Sequence, residues 1–165
     1  MNIDTMKILE ACHELEKNMA KIYSIFCEEF KQDEELSEMW QKTAREEENH
    51  ALQFRMALKI KEDLVESAQV DLSRIMNSLE AVKSILKRTR ENPPTPLEAL
   101  RSAINLERQL ADFHLDCLAS FKNAFHKDMF QAMMKADRDH VETLERAYLI
   151  LFDAAKQDIP SEPAR

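Results

Sequence analysis

The chain has 165 residues, a formal net charge of −8 and no glycine. It is long enough for one globular domain with a sizeable core, and 44% hydrophobic with 33% charged residues fits a folded chain. The acidic balance argues against nucleic-acid or anionic-membrane partners, no apolar run approaches spanning length, and a chain without glycine lacks the residue that hairpin turns use most cheaply, so an all-α fold is expected.

The N-terminus has no basic segment followed by an apolar core, so no secretory signal is expected. Cys12, Cys27 and Cys117 are isolated and form no Cys-x-x-Cys, which excludes a zinc knuckle or a rubredoxin-type iron site and fits a reducing cytoplasm.

The first helix is expected to start at Asp4 as N-cap, with Ile3 and Ile8 placed as a hydrophobic staple. Ile8, Cys12, Leu15, Met19, Ile22 and Phe26 then recur at alternating spacings of four and three, the seam of a bundled helix. Beside them runs a line of Leu9, Glu16, Tyr23 and Phe30, in which Glu16 is the only charge. A short turn at Lys31-Gln32 leads to Asp33, the expected cap of a second helix running to about Leu64. So short a loop makes the two helices antiparallel neighbours.

The second helix carries Arg45-Glu46-Glu47-Glu48-Asn49-His50. Glu47 and His50 project from nearly one side. Trp40, Ala44, Ala51, Phe54 and Leu58 surround Glu47 along an apolar stripe, where a carboxylate is costly unless paired, hydrogen-bonded or bound to a metal. Glu46 and Glu48 are expected to face water or salt partners. Three histidines have an acid three residues earlier: Glu10/His13, Glu47/His50 and Asp137/His140.

A separate crossover helix is predicted over roughly Asp71–Glu91, from Leu72, Ile75, Met76, Leu79, Val82 and Leu86. Asn92-Pro93-Pro94 stops it, and Thr95-Pro96-Leu97-Glu98 combines an N-cap threonine, an N1 proline and an N3 glutamate. The third helix repeats the first: Ala99, Ala103, Leu106, Leu110, Phe113 and Cys117 follow their counterparts by 91 residues, as do Leu100, Glu107, His114 and Phe121. The fourth repeats the second at 90: Trp40 becomes Phe130, Ala44 becomes Met134, Glu47 becomes Asp137, His50 becomes His140, Ala51 becomes Val141 and Phe54 becomes Leu144. The chain is thus read as two antiparallel helical hairpins, 4–64 and 96–156, a crossover helix at 71–91 and a frayed tail at 157–165. His126 is placed in the turn between the last two helices. The Glu10/His13 pair has no counterpart, since Arg101 and Ile104 stand at those positions.

Four acids and two histidines therefore interrupt apolar stripes at corresponding points of both halves. A glutamate from each of two helices, with an acid-x-x-His pair from each of the other two, is a two-metal carboxylate arrangement. Here it reads Glu16, Glu47/His50, Glu107 and Asp137/His140. Four carboxylates balance two divalent ions, and each histidine adds a nitrogen donor suited to iron.

On these residues the sequence resembles the ferritin-like superfamily, closest to its rubrerythrin-type branch. The resemblance covers approximately residues 5–60 and 96–155 and includes Leu15-Glu16-Lys17 with Tyr23, and Thr43-Ala44 before Glu47-x-x-His50-Ala51. It implies a ferritin-like four-helix bundle with two iron ions held by Glu16, Glu47, His50, Glu107, Asp137 and His140, manganese and zinc being the alternatives. It also implies a cytoplasmic oxidoreductase in which the four carboxylates do the catalytic work, reducing hydrogen peroxide or dioxygen with electrons from a separate donor protein. Ferroxidase or iron storage is the second reading, and a non-catalytic helical binding or assembly module the third. A homodimer is expected. The resemblance gives Tyr23 a hydrogen bond to a ligand carboxylate, against the reading of an ordinary buried tyrosine. His114, at the equivalent place, is either a similar support, a ligand or a core histidine. Asp137 departs from the usual glutamate. Ile104 and Leu110 flank Glu107 where rubrerythrins carry a further glutamate, and no rubredoxin-like module is present in this sequence.

Overall fold

The computed structural model describes residues 3–59, 72–118 and 124–157, with side chains except at 3–5, 112–118, 124–126, 129–130 and 157. Five helices account for the elements: α1 (Ile3–Glu29), α2 (Glu34–Lys59), α3 (Leu72–Glu91), α4 (Pro96–Leu118) and α5 (Ala124–Gln157). Among the described residues there is no strand, and the architecture is the all-α ferritin-like bundle: the hairpins α1/α2 and α4/α5, with α3 in the crossover.

α1 begins at Ile3, one residue before the expected cap, so Asp4 belongs to its first turn. The turn to α2 is closed by backbone bonds from Phe30 N to Phe26 O, Lys31 N to Glu28 O and Asp33 N to Phe30 O at 3.0, 3.4 and 2.9 Å. Asp33 caps α2, its Oδ1 accepting from Leu36 N at 3.0 Å. No described residue adopts a positive φ, so this turn is made without the conformation that glycine would supply. The stretch 60–71, with the expected end of the second helix at Leu64 and the Asp71 cap, lies outside the described residues.

α1 is buried over a wide face. Its seam from Ile8 to Phe26 and the second line of Leu9, Glu16 and Tyr23 are all buried, because α1 packs against both α2 and α3. The apolar face of α3 (Ile75, Leu79, Val82 and Leu86) is spent on that contact, each such side chain contributing about 1.5–3 kcal/mol. Little of α3 is then left as an apolar partner surface; Met76 is its one large exposed hydrophobic residue. Thr95 begins α4: its N–H donates to Glu98 Oε2 at 2.9 Å and its hydroxyl to the same oxygen at 2.7 Å. Ala99, Leu100, Ala103, Leu106 and Leu110 are buried on α4, and Met134 and Leu144 on α5. Phe113, His114, Cys117 and Phe130 have side chains outside the described residues. His126 lies within α5 rather than in a turn, because α5 already starts at Ala124. No described helix is long and apolar enough to cross a membrane.

Candidate metal centre

Each of the four bundle helices sends acidic or imidazole side chains inward at the middle of its buried face. Glu16 (α1), Glu47 and His50 (α2), Glu107 (α4) and Asp137 and His140 (α5) are all buried, none more than 6% exposed. Their inward direction follows from helical phase. Glu16 sits one residue after the buried Leu15 and three before the buried Met19, and Glu47 and Asp137 lie three residues after Ala44 and Met134, both buried.

Two clusters of donor atoms form. Glu16, Glu47 and His50 make one, and Glu47, Glu107 and His140 the other, with the donor atoms of each within 4.8 Å of one another. Glu47 belongs to both. Its Oε2 is 3.1 Å from His50 Nδ1, and its Oε1 is 3.2 Å from His140 Nδ1. Asp137 Oδ1 stands 3.4 Å from His50 Nδ1, beside the first cluster, its arm one methylene shorter than a glutamate's. The two imidazoles lie 6.0 Å apart between ring centroids. Tyr23 reaches across from α1 and donates its hydroxyl proton to Glu107 Oε1 at 2.5 Å.

The electrostatics follow from crowding carboxylates in a dry core. Burial and the neighbouring Glu47 push Glu107 up to about 8, although the Tyr23 hydrogen bond works against this. Burial would likewise raise Glu47, but the imidazoles of His140 and His50, with Glu16 contributing, outweigh it and hold the carboxyl well below its usual range. Burial disfavours the His140 imidazolium, yet Glu47, Glu107 and Glu46 overcome that and lift it to about 9. Tyr23 is held well above its ordinary value by burial, and then by the carboxylates of Glu107, Glu47 and Glu16.

The donor set fits divalent metal. Glu47 Oε1 and His140 Nδ1 are buried and face each other at 3.2 Å without the alignment of a hydrogen bond. Adjacent ligands of one ion, at bond lengths of about 2.0–2.1 Å, stand about 3 Å apart. Four carboxylates and two imidazoles are an oxygen-rich set with borderline nitrogen, suited to iron, manganese or zinc.

The remaining sequence candidates fall elsewhere. The His13 ring donates from Nδ1 to the Ala51 carbonyl at 2.8 Å, tying α1 to α2, and Glu10 is exposed. Trp40 and Phe54 are fully buried, Trp40 stacking on Tyr23 at 5.4 Å. His114, the expected counterpart of Tyr23, has its side chain outside the described residues. Glu46, expected to face water or a salt partner, meets one that the sequence did not name: its Oε2 lies 2.5 Å from His140 Nε2, across on α5. The available signal was its place at the edge of the buried face: Thr43 and His50, one turn to either side, are both buried.

A Rubrerythrin family model matches residues 7–148. The chain belongs to the rubrerythrin family. Neither the curated proteins nor the solved structures gave a match. Family membership places the chain in the ferritin-like superfamily and implies a di-iron site, and the two donor clusters among the described residues are groups able to hold metal.

Proposed function

We propose that this rubrerythrin is a di-iron oxidoreductase that reduces hydrogen peroxide, or dioxygen, with electrons from a separate donor protein. The observation that carries the reading is the sharing of Glu47 between two buried donor clusters, each with its own glutamate and its own histidine. Glu16, Glu47 and His50 would hold one ion, and Glu47, Glu107 and His140 the other, with Asp137 completing the set from beside His50. When bound, the iron pair supplies two electrons and Lewis acidity. Reduction of hydrogen peroxide to two waters takes up those two electrons and two protons.

The protein's own groups set the rest. Glu47 keeps a negative charge at the midpoint. Glu107 holds a proton near neutral pH in the metal-free site, and Tyr23 fixes that carboxyl by its O–H bond at 2.5 Å. Trp40 and Phe26 wall off solvent on the Tyr23 side. A cytoplasmic location, the absence of nucleic-acid or membrane partners and a homodimer belong to the same reading; Leu52 and Met56, exposed on α2, offer apolar surface for a second copy.

Ferroxidase activity is the second reading. It is favoured by a groove of about 630 Å³ between α2 and α5, which reaches His140 and is edged by Glu35, Glu38, Glu46 and Asp139. Carboxylates on that approach suit an incoming cation, although Lys42 and Arg45 line it as well. A non-catalytic helical module gains little support. Burying four unneeded carboxylates is costly, and α3 spends its apolar face on α1.

The deciding experiment is anaerobic loading with ferrous iron, then one equivalent of hydrogen peroxide, followed by absorption spectroscopy. The reading expects about two irons per chain and rapid growth of oxo-bridged ferric bands. Two irons that react with dioxygen but hardly with peroxide would favour the ferroxidase. No stoichiometric iron would overturn both.

A further inference from the structure

The internal repeat accounts for six inward-facing residues but not for Glu46. The position 90 residues later is Ala136. The two halves therefore differ at this position beside the centre, and there the structure makes a contact between hairpins: Glu46 Oε2 lies 2.5 Å from His140 Nε2.

The chemistry of that contact has one solution. A carboxylate only accepts, so the ring must present Nε2–H to it. The other ring nitrogen, Nδ1, then points at Glu47 Oε1, 3.2 Å away in the buried interior. The imidazole is held between an outer carboxylate and the donor atoms of the second cluster. His140 is buried while the Glu46 side chain keeps 31% of its surface exposed, so the acid lies at the groove between α2 and α5 and the ring lies behind it. A carboxylate on the outer nitrogen of a ligating histidine fixes ring orientation and makes the inner nitrogen a better donor. Ala136 has no carboxylate to offer His50 from the equivalent place.

We propose that Glu46 is the positioning residue for His140, and that the carboxylate–histidine arm it forms makes the His140 side of the centre the tighter of two inequivalent ion positions. This rests on the metal reading above. It goes further in assigning a role to a residue outside the six, and in ranking the two positions. Glu46 is not a ligand here; it acts through the ring.

The test uses cobalt(II) as probe on the full chain, with wild type, E46A, E46Q and, as control for charge, E48A, since Glu48 is exposed on the same helix. Stepwise affinities come from competition with a chelator. Proton NMR of the cobalt-loaded chain reads the exchangeable, hyperfine-shifted ring N–H signals, with H140A assigning the one from His140. Wild type should bind two cobalt ions with unequal affinities. E46A should weaken the tighter step by about 10–100-fold, the range for loss of such an outer partner, and should speed solvent exchange of the His140 N–H. E46Q keeps an oxygen to accept that proton and should recover most of both, and E48A should change neither. Unchanged affinities and N–H exchange in E46A would overturn the inference, as would equal losses in E46A and E46Q. If wild type binds two ions and only Glu46 proves indifferent, this inference falls alone. If wild type binds fewer than two, the metal reading falls and takes the inference with it.

Discussion

Tyr23 and Glu107 join the two hairpins through one buried hydrogen bond, 2.5 Å from the phenol oxygen on α1 to Oε1 on α4. They are 84 residues apart in sequence. Both are buried, so neither atom has water to fall back on. In Y23F the Glu107 oxygen loses its donor in a dry site. The metal-free chain should lose about 1–3 kcal/mol of stability, the usual cost of leaving a buried polar atom unmet, measured by urea unfolding followed by circular dichroism. The bond also favours the ionised carboxyl, so the variant should release more protons on metal binding near pH 8. Unchanged stability would mean that the bond contributes nothing net.

Glu47 differs from the other carboxylates in belonging to both donor clusters. E47A should therefore abolish both metal equivalents, whereas E16A and E107A should each spare one step. Plasma emission analysis after loading and desalting checks the count, and circular dichroism checks that the bundle is still folded. If E47A retained one tight ion, the shared role of Glu47 would be wrong.

The pH dependence has a definite sign. Glu107 sits at about 8 against an ordinary 4.5, and His140 at about 9 against 6.5. Both are raised, so the folded metal-free chain holds more protons than the unfolded chain. The contribution from His140 is complete below pH 6.5 and is lost as pH rises through 9; that from Glu107 declines between pH 4.5 and 8. Glu47 is lowered, so its contribution is present above pH 4.5 and is lost only in acid. The melting temperature of the metal-free chain should thus fall from pH 6.5 to 9. Metal must displace the same protons, so binding should tighten over that interval. Calorimetry at pH 7 in two buffers of different ionisation heat should register about two protons released per chain. A flat melting profile together with no proton release would contradict this charge arrangement.

The sequence exposes the six inward residues because a charge in an apolar stripe is conspicuous, and the 90- and 91-residue repeat marks the same places twice. The helices were legible for the same reason: seams such as Ile8 to Phe26 carry the helical period over several turns. Pairings between hairpins were not legible. Tyr23 shares a line with Glu16 along α1, yet its hydrogen bond goes to Glu107, and nothing local encodes how one hairpin is set against the other. Glu46 stood in a charged run, where position alone reads as facing water or a salt partner and does not say which. Its partner lies 94 residues away, and Ala136 breaks the repeat that would have pointed to it. His126 was misplaced because no glycine or proline marks where α5 begins.

α3 supplies the last prediction. It packs on α1 through Ile75, Leu79, Val82 and Leu86 and takes no part in either donor cluster. Leu79→Ala should cost about 2–5 kcal/mol, as core truncations of this kind do, and leave metal stoichiometry untouched. Metal should restore part of the loss by mass action: an ion at about 100 times its dissociation constant adds about 2.7 kcal/mol. The measurement is a pair of denaturation curves, with and without metal. If the truncation also removed an ion, α3 would be shaping the centre through α1, whose Glu16 stands between buried contacts on the same helix. An unchanged count would assign α3 to stability alone.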